Sequence, residues 1–127
     1  MKRVYLGGAI FQADDPVTWR VGIIDSLPVG WEAVDPVTFD INATLENAHE
    51  VVARDLRAID GCDAVFANVC RPSWGTAMEI FYASQCGRPV IGWASNLRRK
   101  DISPWLFHHC ELVTSDRVKA LAYLGAL

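Results

Sequence analysis

Short apolar runs of strand length alternate with longer amphipathic stretches along the chain. Arg3-Val4-Tyr5-Leu6 reads as a strand closed by Gly7-Gly8, and Pro16 to Leu27 as a helix with Val17, Ile23, Ile24 and Leu27 apolar. Pro28 and Gly30 stop that helix. Trp31-Glu32-Ala33-Val34 is a second strand ended by Asp35-Pro36, and Val37 to Ala43 reads as a loop. A long helix is predicted from Thr44 to Ile59, with Thr44 as its cap and Gly61 as its stop. Asp63 to Val69 is the third strand, Gly75 to Cys86 the third helix, and Pro89 to Trp93 the fourth strand. A polar loop from Ser95 to Ser103 leads to a short element over Pro104 to His108. Glu111-Leu112-Val113 then reads as a fifth strand and Ser115 to Leu124 as a closing helix.

Strands alternating with helices predict an α/β protein: a parallel sheet of about five strands, joined by right-handed crossovers and covered on both faces. Ligands of such sheets sit at the carboxyl ends of the strands. Three loops, Gly7 to Asp15, Asn68 to Thr76 and Trp93 to Ser103, are therefore expected to open on one edge.

At 127 residues the chain is expected to be one domain, 1–127, without repeats or linkers. Apolar residues at 51% and charged residues at 21% are too apolar a mixture for disorder. A formal net charge of −3 leaves no basic footprint for duplex nucleic acid, so a small molecule is the expected partner. No signal peptide precedes the first strand, and no run approaches the ~20 apolar residues that span a bilayer. Cys62, Cys70, Cys86 and Cys110 form no Cys-x-x-Cys pair and read as buried thiols of a reduced, cytoplasmic protein. His108 and His109 are adjacent, a spacing that does not favour a shared metal.

The segment Cys70-Arg71-Pro72-Ser73-Trp74-Gly75-Thr76-Ala77-Met78-Glu79 lies between a strand and a helix, where free backbone N–H groups hold anions. Glu79 falls in the first turns of that helix, where the dipole favours the ionised form of a nucleophilic carboxylate. Thr76-Ala77-Met78-Glu79 is equally a capping box, with Glu79 reaching back to the helix start. Asp55 sits on or beside the apolar stripe Ala48, Val51, Val52, Leu56 and Ile59, so it is either paired with a flanking Arg or used chemically. Tyr5 is either a core aromatic or a hydroxyl that orients a carboxylate at the strand ends. Gly7 and Gly8 allow a ligand close to the backbone without forming a dinucleotide fingerprint. Asp14-Asp15 either caps the first helix or bonds ribose or base edges, and Arg98-Arg99-Lys100 reads as a solvated loop, with phosphate attraction as the alternative.

Together these residues resemble the nucleoside 2-deoxyribosyltransferases and the related deoxynucleoside 5′-monophosphate N-glycosidases. Three blocks carry the likeness: Val4 to Ile10; Asp55 to Ile59 leading into Cys62 to Val65; and Pro72 to Ile80 continuing through Ala83 and Gly87 to Val90. The resemblance implies a flavodoxin-like sheet and cleavage of an N-glycosidic bond. Glu79 would be the nucleophile at C1′, Tyr5 would hold its carboxylate, and Asp55 would address the base. It calls for no metal or cofactor. It also implies a homodimer or higher assembly, with sites completed across the interface.

The family branches differ at the 5′ end of the substrate. Arg71-Pro72-Ser73 lacks the acidic residue that meets a free 5′-hydroxyl, and so looks like the branch in which a Ser donates to phosphate. Ser103 is similar to a second phosphate donor, and Gly75 opens the Glu-bearing helix. The wording Gly75-Thr76-Ala77-Met78-Glu79 is close to that of the transferases, so water and a second base both stay open as acceptors. Outside the enzyme class, a nucleotide-binding or sensing module fits the same fold.

Overall fold

The computed structural model describes residues 1–127. Five strands, β1 (Lys2–Gly7), β2 (Trp31–Val34), β3 (Ala64–Asn68), β4 (Val90–Trp93) and β5 (Leu112–Thr114), pair in parallel in the order β2-β1-β3-β4-β5. This is the flavodoxin-like order, in which the chain reverses direction across the sheet between β1 and β3. The helices are α1 (Thr18–Asp25), α2 (Val37–Asp40), α3 (Ala48–Asp60), α4 (Trp74–Gln85), α5 (Pro104–His109) and α6 (Arg117–Gly125). None is long and apolar enough to cross a membrane.

The two-residue period of the strands divides the core. Val4, Leu6, Ala64, Phe66 and Ile91 pack with Ile23 of α1 and with Ala120 and Leu124 of α6. On the opposite face, Tyr5, Val65, Ala67 and Val90 pack with Ile59 of α3 and with Ile80 and Ala83 of α4. The alternation therefore turns Tyr5 towards α3 and α4, the two helices that carry Asp55 and Glu79.

Several local expectations are corrected. The stretch from Val37 begins as one helical turn, because the Asp35 carboxylate accepts from Val37 N at 3.1 Å and starts the turn beside Pro36. Thr44 does not cap the long helix. It exchanges bonds with Asn47, whose carbonyl accepts from Thr44 N at 2.7 Å, and the helix starts at Ala48. Cys62 is buried and Cys110 half-buried, but Cys70 and Cys86 are exposed, since they sit at a strand exit and a helix end. Asp15 takes the capping role: its carboxylate accepts from Val17 N and Thr18 N, both at 3.0 Å.

Candidate active site

Glu79 is not used as a helix cap. Ser73 is the residue that caps α4, its Oγ accepting from Thr76 N at 3.4 Å, and this leaves the Glu79 carboxylate free. Glu79 turns instead to the sheet, where the fully buried Tyr5 donates its hydroxyl proton to Oε2. Burial and the neighbouring carboxylate push the Tyr5 phenol far above its ordinary range, so it stays a donor at every physiological pH. Burial likewise raises Glu79 from 4.5 to about 7; the Tyr5 bond and the Arg20 cation oppose that rise, and Asp40 adds to it. The result is a carboxylate poised near neutrality and held in place by one phenol.

Asp55 is 9% exposed, and its Oδ1 has no hydrogen-bond partner. No arginine forms a salt bridge with it, although the nearby Arg54 charge favours its ionised form. The adjacent Arg54 turns away to Asp40, with Nη2 to Oδ1 at 3.5 Å, and its guanidinium lies 4.4 Å over the Phe39 ring. Burial first, then the hydrogen bond and charge of Asp40, push Asp55 up to about 9, and Glu79 adds to the effect. At neutral pH Asp55 is thus a protonated acid beside an ionisable Glu79, two carboxyl groups driven towards opposite roles by their surroundings.

The mouth of the site is built on Arg20, which is fully buried. Its Nε donates to Pro16 O at 2.8 Å, Nη1 to Leu6 O at 2.7 Å and to Asp35 Oδ1 at 2.9 Å, and Nη2 to Gly8 O at 3.0 Å. One side chain therefore ties the end of β1, the following loop and the exit of β2 together. Gly8 is required by space, since a Cβ there would lie 2.6 Å from Trp19 Cζ2. Gly7 is not: a Cβ would meet Glu79 Oε1 and Tyr5 only at 3.9 Å, close enough that the carboxylate lies against this loop. Gly75 has open space around it.

Ser73 and Ser103 line a cavity of about 900 Å³, together with Arg71, Thr76, Arg98 and Trp105. Tyr5, Asp55 and Glu79 are not part of that lining; Thr76, which is, stands one helical turn before Glu79 on α4. The buried Thr76 hydroxyl lacks a partner. Ser103 caps α5 by accepting from Trp105 N at 3.2 Å, and Ser73 also accepts as a cap, so each hydroxyl keeps its own proton to donate. Trp74 and Trp105 stand largely exposed along this face.

Two neighbours of the site carry no motif of their own. Asp40 falls in the stretch Val37 to Ala43, which reads as a loop. Arg20 falls three residues from both Val17 and Ile23, on the apolar side of its helix, where a charge needs partners.

The family model of nucleoside 2-deoxyribosyltransferase matches residues 4–121. A Thermofilum pendens protein provisionally named 2′-deoxynucleoside 5′-phosphate N-hydrolase 1 is 32% identical over 74 residues, covering 58% of this chain and 49% of that protein. The match spans about half the length of that relative. Among solved structures, the 2-deoxyribosyltransferase of Bacillus psychrosaccharolyticus superposes with a TM-score of 0.77 at 19% identity, covering 95% of this chain and 91% of its own. The Leishmania mexicana enzyme gives 0.72 at 19% identity over 99% and 98%. A CMP N-glycosidase of Clostridium botulinum gives 0.57 at 20% identity over 99% and 100%. At these identities the structural likenesses establish the fold.

Proposed function

Because this chain belongs to the nucleoside 2-deoxyribosyltransferase family, we propose that it cleaves the N-glycosidic bond of a 2′-deoxynucleoside 5′-monophosphate through a covalent deoxyribosyl-Glu79 intermediate. The observation that carries this reading is a Tyr5-bound Glu79 on α4 with a second buried carboxyl, Asp55 of α3, near enough for the Glu79 charge to act on it. The ionised Glu79 faces the positive charge that develops at C1′ as the bond to the base lengthens, and then bonds to it. The base leaves with the bonding electron pair and takes a proton from Asp55. In the second step water attacks C1′, gives its proton to Asp55, and frees Glu79 as a carboxylate. Tyr5 keeps the nucleophile aimed throughout.

Two observations support a 5′-phosphate. Ser73 and Ser103 offer free hydroxyl protons on one cavity, beside the start of a 12-residue helix and the cation of Arg71. No carboxylate lies in the Arg71-Pro72-Ser73 stretch, and the one that lines the cavity, Asp101, is paired with Arg98 at 2.7 Å. The name of the Thermofilum pendens relative points the same way. The exposed Trp74, Met78, Phe81 and Trp105 fit burial against a second copy. A second reading, base exchange between free deoxynucleosides, differs only in the acceptor, with a base in place of water. A purely sensing module has no use for two carboxyl groups, Asp55 and Glu79, buried at a cost to their ionised forms.

The test is chromatography of base release from deoxynucleosides and their 5′-monophosphates, with and without a second free base, for wild type and Glu79→Ala. Release from monophosphates without an acceptor, lost in Glu79→Ala, supports hydrolysis. Exchange confined to free nucleosides with an acceptor establishes the transferase and removes the phosphate role of Ser73.

A further inference from the structure

The loop that leaves β1 is an arch with two fixed feet. Arg20 Nη2 donates to Gly8 O at 3.0 Å and its Nε to Pro16 O at 2.8 Å, so one buried guanidinium holds both ends. The first foot adjoins Gly7, where a Cβ would lie 3.9 Å from Glu79 Oε1, so the arch rises beside that carboxyl group. Its crown is a tight turn in which Ala13 N donates to Ile10 O at 3.1 Å. Within that turn Gln12 stands at φ 56°, in the left-handed region that a non-glycine residue keeps only where its surroundings hold it. One hydrogen bond joins this crown to the rest of the protein: Arg71 Nη2 donates to Phe11 O at 3.1 Å. The carbonyl belongs to the peptide between Phe11 and Gln12, so the bond fixes the plane about which Gln12 is strained.

Arg71 also lines the cavity that holds Ser73 and Ser103, and its remaining N–H groups have no protein partner. A guanidinium offers five donors in a rigid plane, so phosphate can take one edge while Nη2 keeps Phe11 O. We infer that Arg71 is a positioning residue that couples the two: phosphate bound in the cavity fixes the guanidinium, and the guanidinium fixes the crown of the arch beside Glu79. This role rests on the 5′-phosphate reading of the cavity. An exposed arginine with a single bond loses much rotamer freedom when it steadies a strained turn. Once phosphate has immobilised the side chain, that loss is already taken, and the arch orders more readily. Binding energy from a group remote from C1′ thus goes into ordering the wall of the reacting centre.

Coupling and simple phosphate binding differ kinetically. A residue that only binds phosphate raises KM when it is lost and leaves kcat unchanged. A residue that carries the presence of phosphate to the arch lowers kcat as well. Lysine at this position separates the two effects. It keeps the charge that attracts phosphate but lacks the planar fork that holds phosphate and Phe11 O together.

The experiment compares wild type, Arg71→Gln and Arg71→Lys, whose exposed side chain leaves the melting curve unchanged. In the first assay, chymotrypsin cleavage after the exposed Phe11, identified by fragment mass, is timed with inorganic phosphate and with sodium chloride at matched ionic strength. Phosphate is expected to slow this cleavage several-fold in wild type and to have no effect in either variant. Cleavage that phosphate leaves unchanged in wild type, or slows equally in Arg71→Gln, overturns the coupling. In the second assay, base release from deoxynucleoside 5′-monophosphates is followed as kcat and KM separately. Both variants are expected to lose on the order of 10- to 100-fold in kcat, with KM closer to wild type in Arg71→Lys. A rise in KM at unchanged kcat makes Arg71 an ordinary phosphate ligand and overturns the inference. Arg71-dependent protection in a protein that releases no base would sink the N-glycosidase reading and leave the coupling standing.

Discussion

Substituting Tyr5→Phe removes one hydroxyl and nothing else from the core, and its effect on activity has a calculable pH dependence. The phenol donates to Glu79 Oε2 and is the largest influence holding that carboxyl down against burial. A hydrogen bond to a charged group is worth about 1.5–3 kcal/mol. At about 1.4 kcal/mol per pKa unit, losing it lifts Glu79 by roughly one to two units from its value near 7. In the proposed mechanism only ionised Glu79 attacks, so activity is expected to fall as pH drops through this value, and the substitution to move that acid limb to higher pH. Well below both limbs the rate should drop by roughly 10- to 100-fold, while near pH 9 the loss should narrow. The alkaline limb, set by Asp55 near 9, then leaves a compressed optimum. Base release followed from pH 5 to 10, as kcat/KM, separates the cases, with a melting curve to confirm the fold. An acid limb that stays in place, with a uniform loss at every pH, would refute the claim that Tyr5 tunes the nucleophile.

Other outcomes follow from the same contacts. Arg20→Lys keeps the charge but not the fork that reaches Pro16 O, Leu6 O, Gly8 O and Asp35 together; it should destabilise by about 3 kcal/mol, read as the urea midpoint. Gly8→Ala drives a Cβ to 2.6 Å from the Trp19 ring and should cost about 1–3 kcal/mol, whereas Gly7→Ala, with contacts no closer than 3.8 Å, should be much milder. Glu79 binds its proton more tightly folded than unfolded, so its favourable contribution is complete below about 4.5 and is lost as pH rises through about 7. Glu79→Gln should therefore raise thermal stability at pH 8 by about 2–3 kcal/mol and hardly at all at pH 4, measured by calorimetry.

The strand and helix order was legible because the apolar periods switch cleanly and because Gly and Pro punctuate them: Gly7-Gly8, Pro28, Gly61 and Gly87 each fall at an element's end. Alternation along β1 also carried the key geometric fact, that Tyr5 faces away from Val4 and Leu6. What local sequence could not decide was which residue caps α4. Ser73 and Thr76 both fit the rule, and only the tertiary pull of the Tyr5 hydroxyl on Glu79 takes that carboxylate out of a capping box. Asp40 was illegible for another reason. Its stretch is too short for a helical period, and its ion-pair partner Arg54 belongs to a different element that no local pattern links to it. Arg20 left a trace, a charge on an apolar helix face, but its four acceptors come from β1, the turn before α1 and the exit of β2.

The most direct measurement of the central claim is rapid-quench mass spectrometry on enzyme mixed with a 2′-fluorinated deoxynucleoside 5′-monophosphate. The fluorine withdraws electrons from C1′, slows both oxocarbenium-like steps and lets an intermediate accumulate. A mass increase equal to the fluorodeoxyribosyl phosphate, located on the peptide that carries Glu79 and absent in Glu79→Gln, is the predicted result. Base release that continues in Glu79→Gln, or an adduct found on any other residue, would contradict it.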